Sequence, residues 1–90
     1  MVKHYNIRIY GQVQGVFFRD FAKEKADSLG ILGFVQNEPD GAVYTEAEGE
    51  ENKLDEFINF VKQGPSIAKI NRIEITEDQV KNYNEFEIRY

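Results

Sequence analysis

Between Val2 and Tyr10 apolar and polar residues alternate: Tyr5, Ile7 and Ile9 fall on one face of an extended chain, and His4, Asn6, Arg8 and Tyr10 on the other. A period of two marks a half-buried strand. Gly11 to Phe17 breaks the pattern with two glycines among apolar residues. From Phe18 the period becomes helical. Phe18, Phe21, Ala22, Ala26 and Leu29 share one stripe, and Gly30 stands where a left-handed residue ends a helix. Ile31 to Asn37 and Ala42 to Glu48 read as two strands of a hairpin. Glu38-Pro39-Asp40-Gly41 between them is a turn, with Pro39 pre-setting φ and Gly41 free to take a positive one. Leu54, Phe57, Ile58 and Val61 repeat at i, i+3, i+4 and i+7, which predicts a second amphipathic helix over Glu51 to Gln63, stopped by Gly64-Pro65. Ile73 and Ile75 mark a strand over Ile67 to Thr76, and Phe86, Ile88 and Tyr90 a short last strand that ties down the C-terminus.

This order, β-α-β-β-α-β plus a terminal strand, is the split-βαβ or ferredoxin-like plan of the α+β class: an antiparallel sheet with two helices on one face. With no repeat, linker or low-complexity tract, residues 1–90 are expected to form one domain. The plan hosts enzymes, RNA binders and metabolite sensors alike, so function has to come from particular residues.

Composition narrows the choice. Hydrophobic residues at 41% and charged residues at 30% suit a soluble globular chain. The absence of cysteine removes disulfides, thiolate metal sites and a cysteine nucleophile together, and fits a reducing compartment. A net charge of −5 argues against nucleic acid, whose binders need a basic face to displace counterions. One well-placed arginine still suffices for a small anion. No run approaches about 18 apolar residues. Met1 to Tyr5 also lacks the apolar core of a secretory signal, so no membrane partner and a cytoplasmic location are expected.

Two stretches carry candidate chemistry. In Gly11-Gln12-Val13-Gln14-Gly15-Val16-Phe17-Phe18-Arg19, Gly15 lets the backbone curl so that successive N–H groups converge at a helix N-terminus, where peptide dipoles favour an anion. Arg19, in the first turn, adds a planar guanidinium suited to two phosphate oxygens. There is no Gly-Lys-Ser/Thr of a nucleotide-binding loop, and the glycine spacing is not a dinucleotide fingerprint. The same arrangement also serves as a plain strand–helix connection, with Val16, Phe17 and Phe18 packing, so the spacing leaves both readings open. The second stretch is Gly33-Phe34-Val35-Gln36-Asn37. Asn37 reads either as a turn-former or as a neutral amide able both to accept from and donate to a water molecule. Phe34 reads as a core residue, although its strand shares a feature with the aromatic strand of RNA-recognition domains. His4, the only histidine, reads as a surface residue, and Glu48, Glu50 and Glu51 as a solvated run at the start of the second helix.

Taken together, Gly11-x-Val13-Gln14-Gly15-Val16-x-Phe18-Arg19 and the spaced set Gly33-Phe34-Val35-Gln36-Asn37, Gly41-x-Val43 and Gly49 match both signatures of the acylphosphatase family, which the chain resembles along its length. The resemblance implies hydrolysis of acyl phosphates to a carboxylate and inorganic phosphate; that chemistry asks for no cofactor and no metal, the carboxylates show no ligand-like clustering, and nothing in the sequence demands more than a monomer. It also implies a phosphate cradle from the backbone N–H groups of Gln14, Gly15, Val16, Phe17, Phe18 and Arg19, with Arg19 as the substrate-binding cation and Asn37 orienting the attacking water. Two departures stand out: Glu50 follows Gly49 where many members have proline, and Glu38 follows Asn37, bringing a negative charge close to a site for a dianion. The chemistry is self-consistent. The leaving carboxylate has a conjugate acid of pKa ~4 and needs no general acid. A non-catalytic small-anion-binding or regulatory module on the same fold is the alternative; it requires the cradle but not Asn37. The pocket beyond the phosphate is expected to be shallow, with loose selection of the acyl part.

Overall fold

The computed structural model describes all 90 residues. Along the chain lie β1 (Val2–Gln12), α1 (Phe18–Leu29), β2 (Leu32–Asn37), β3 (Val43–Glu50), α2 (Glu51–Gln63), β4 (Lys69–Asp78) and β5 (Phe86–Arg89), the order expected. They build one sheet in the order β4-β1-β3-β2-β5. The four longer strands pair antiparallel, as expected, while β5 lies parallel to β2 and makes that edge mixed.

The periodicities translate directly into packing. Ile7 and Ile9 of β1, Val35 of β2 and Ala47 of β3 point to the same side. They meet Phe18, Ala22 and Ala26 of α1, and Leu54, Phe57 and Val61 of α2, in one buried cluster. Phe57 is fully buried; truncating such a side chain to alanine costs about 3–5 kcal/mol. Gly30 takes φ 71° and closes α1, its N–H turned back to the last-turn carbonyls.

Several strand boundaries differ from expectation: β2 begins at Leu32, β3 runs from Val43 to Glu50, β5 ends at Arg89, and β1 and β4 depart as follows. β1 runs on through Gly11 and Gln12, which pair with Ile70 and Lys69 beyond a bulge after Tyr10. Gly11, read as a break, is instead a point of close strand approach: at its φ of 133° a Cβ would strike the Lys69 carbonyl oxygen. β4 is displaced two residues along the chain from the expected span. Ala68 N–H donates to the Pro65 carbonyl (2.9 Å) and holds Ile67 in a turn, while Asp78 still pairs with His4.

Two corrections concern the sheet face away from the helices. His4 lies on the expected face but is wholly buried, and Glu48 is 2% exposed rather than part of a solvated run. The β4–β5 connection covers them. Glu48 accepts from His4 Nδ1 (2.8 Å) and from the backbone N–H groups of Lys81 (2.9 Å) and Tyr83 (2.8 Å). Beside it Glu46 accepts from the Tyr44 and Tyr83 hydroxyls and from Lys81 Nζ. Burial pushes both carboxyls up, but these donors outweigh it and hold both below the usual glutamate range. Phe34 is buried as expected, but in this second layer: its ring meets those of Tyr44 and Tyr83, outside the main cluster.

The strand order also fixes where the loops fall. β1 and β2 flank β3 antiparallel, so both end on the same edge of the sheet, with Ile9 paired to Val43 and Val43 to Asn37. The loop after β1 and the turn after β2 are therefore about two strand spacings apart, roughly 10 Å. Paired residues share a face, so Asn37 points with Val43, Val35 and Ile9 to the helix side, towards the start of α1.

Candidate active site

The loop from Val13 to Phe17 enters α1 through a costly conformation. Gly15 has φ 74°, and Phe17, at the N-cap, has φ 64°. Glycine adopts that region freely, but a residue with a Cβ does so at a cost of order 1–3 kcal/mol. The two left-handed residues curl the backbone. None of the N–H groups from Gln14 to Arg19 donates to a backbone carbonyl, and no side chain caps α1. These free donors surround the positive end of a helix dipole, the arrangement that binds an oxyanion.

Arg19 is the cation of this loop. Three of the four arginines are engaged by carboxylates: Arg8 by Glu38 at 3.1 Å, Arg72 by Glu74 at 3.2 Å, and Arg89 by Glu87 at 2.6 Å. Arg19 alone has no ion pair; its guanidinium carbon sits 4.8 Å from the centre of the Tyr90 ring. Asn37 likewise spends none of its amide's hydrogen-bonding capacity inside the protein. Both border one pocket of about 290 Å³, together with Gly15, Phe17, Asp20 and Tyr90. Arg19 and Asn37, separated by a helix and a strand in sequence, are thus brought to a single cavity.

The side chain of Gln14 joins the two halves of the site. Its Nε2 donates to the carbonyls of Glu38 (2.8 Å) and Ala42 (2.9 Å), on either side of the turn that follows Asn37. The sequence singles out Gln14 for its backbone; no local pattern reveals where its amide reaches, because both acceptors are main-chain atoms of a distant turn. Glu38, whose charge looked unfavourable, lies on the opposite face. There it accepts from Arg8 Nη2 (3.1 Å) and Gln36 Nε2 (2.9 Å), so it is neutralised away from the cavity.

The remaining sheet face is occupied by the protein's own contacts. Phe34 is 4% exposed, its ring lies under the Arg89 guanidinium at 3.7 Å, and the arginines there are already paired. No group of three or more histidine or carboxylate side chains is arranged to hold a metal ion. No helix is long and apolar enough to cross a membrane.

The chain is similar in sequence and in fold to proteins of one family. The family model described as acylphosphatase matches residues 5–88. An acylphosphatase of Archaeoglobus fulgidus is 46% identical over 93% of this chain and 94% of its own. One from Ligilactobacillus salivarius is 43% identical over 99% and 100%. The crystal structure of acylphosphatase from Bacillus subtilis superposes with a TM-score of 0.94 at 40% identity, each chain covered completely.

Proposed function

The chain belongs to the acylphosphatase family, and from that premise we propose how it cleaves the carboxyl–phosphate anhydride bond of acyl phosphates: a water molecule oriented by Asn37 attacks the phosphorus directly while Arg19 and the amide cradle hold the phosphoryl oxygens. The observation that carries this reading is the meeting of three kinds of uncommitted polar group at one cavity: free N–H donors, an arginine with no carboxylate and an asparagine with no partner.

The reaction asks for little more. Phosphoryl transfer passes through a loose transition state with charge spread over the equatorial oxygens. Fixed donors stabilise that charge without reorganising, and holding the water in line converts a bimolecular step into one within the complex. The water oxygen forms a bond to phosphorus as the anhydride P–O bond breaks, and the carboxylate departs with the bonding pair. That leaving group is stable as an anion at neutral pH, so it takes no proton. The water gives up its proton late, to a phosphoryl oxygen, which is why a neutral amide suffices where a general base would otherwise stand. Gln14 serves as a positioning residue, holding the cradle and Asn37 in register. We propose a cytoplasmic monomer, in line with the cysteine-free composition and the reducing compartment it suits.

Steady-state hydrolysis of benzoyl phosphate in excess EDTA tests the reading. Turnover that survives chelation and is inhibited competitively by inorganic phosphate is expected. A folded protein that binds phosphate without turning over any acyl phosphate would instead be a small-anion-binding module, which needs the cradle alone.

A further inference from the structure

Apolar groups line the pocket as well as polar ones: Val13 and Phe18 are buried there, while Phe17 and Tyr90 are exposed. Phe17 pays twice for its place: it holds a left-handed φ of 64° and is a large apolar residue left 73% exposed. The cradle explains the backbone, since the left-handed turn curls the loop at the start of α1. It does not explain the ring, because glycine or asparagine would take the same φ more cheaply. Tyr90, the last residue, is also exposed, and its ring lies 4.8 Å from the Arg19 guanidinium carbon at the border of the same cavity. Two large exposed rings beside a set of anion donors are the lining of a ligand site, with a few polar groups to anchor and apolar surface to select. Asp20 is the one side-chain carboxylate on the cavity wall, and it disfavours a second negative charge on the ligand.

We propose that this site selects acyl phosphates whose acyl group is uncharged, apolar and flat, aromatic acyl groups foremost, with Phe17 as the specificity-determining side chain and Tyr90 beside it. The proposal rests on the hydrolysis described above and replaces the loose acyl selection expected from sequence. With the phosphoryl group in the cradle, a ring on the carboxyl carbon reaches the aromatic wall and buries surface against it. An acetyl group is too short to do so. Aromatic contacts of this kind are worth about a three- to tenfold preference.

The test compares kcat/KM for benzoyl phosphate and acetyl phosphate in the full chain and in Phe17→Ala and Tyr90→Ala. Alanine at 17 keeps the Cβ, and with it the same backbone cost. The change in the ratio of the two substrates between the unaltered chain and a variant cancels the substrates' intrinsic reactivities and any loss that both share in the cradle. The benzoyl-to-acetyl ratio is expected to fall about three- to tenfold in Phe17→Ala and less in Tyr90→Ala, with Phe17→Leu intermediate. Hydrolysis of both substrates by the unaltered chain with a ratio untouched by either alanine would overturn the aromatic wall and leave the hydrolytic reading standing. Hydrolysis of neither would overturn both.

Discussion

On the back of the sheet every polar group has found a partner, whereas at the shared edge of β1 and β2 several have none. Glu48 receives three N–H donors and Glu46 two hydroxyls and an ammonium, and no buried side-chain polar atom of the protein is left unsatisfied. The loop from Gln14 to Arg19 offers unspent N–H groups, an unpaired guanidinium and a strained aromatic residue. Both regions are rich in charge and hydrogen-bonding groups. They differ in whether the protein completes its own network, and that difference separates a stabilising cluster from a binding site. Groups satisfied within the fold contribute to its stability. Groups held open at fixed positions are available to a transition state.

Substitutions should split along the same line. Removing the unpaired cation has the largest expected effect: Arg19→Ala lowers kcat/KM at least about 10²–10³-fold, the scale of losing a key donor, while the denaturation midpoint hardly moves. Arg19→Lys restores only part of it, because an ammonium cannot reproduce the planar fork. A lysine variant as active as the unaltered chain would dissolve the bidentate role. Behind the sheet the pattern inverts. Glu48→Ala strips His4 Nδ1 and two backbone N–H groups of their acceptor and should cost about 3 kcal/mol in urea unfolding, with turnover at moderate temperature unchanged.

A smaller effect is expected at the join. Gln14→Ala should reduce kcat about tenfold, more than it weakens phosphate inhibition, because it loosens the register between cradle and water site. Equal losses in kcat and phosphate affinity would place Gln14 in the cradle rather than between the two halves. The smallest effect is one of pH. Glu46 and Glu48 titrate below their unfolded values, so the stability they contribute is present above about pH 4.3 and is lost as the pH falls through their lowered pKa values. Urea midpoints measured downwards from neutrality should decline through that window, and Glu48→Gln should flatten the decline.

How much of this could be read in advance follows from the range of the interactions. Both helices and the main core were legible, because their apolar stripes are local and periodic. Arg19 and Asn37 were legible only as candidates, because a plain strand–helix connection and a turn-former explain the local pattern as well; the two family signatures together singled them out. The second buried layer was not. His4 and Glu48 look like surface residues on an alternating strand, and the segment that covers them, Gln79 to Glu85, has no periodic pattern to announce that it packs at all. The direction of Glu38 was hidden for a related reason. Only the register Gln36–Tyr44 and Asn37–Val43 decides that Asn37 faces the helices and Glu38 turns away to Arg8. The amide of Gln14 reaches main-chain atoms that no sequence pattern marks.

The central claim is a division of labour inside one cavity, and Asn37→Ala tests it most directly when kcat and the inhibition constant for inorganic phosphate are measured on the same preparation. Turnover should fall by about two orders of magnitude or more while phosphate inhibits as it does in the unaltered chain. A variant that loses phosphate binding but keeps its kcat would assign Asn37 to the cradle and contradict the account.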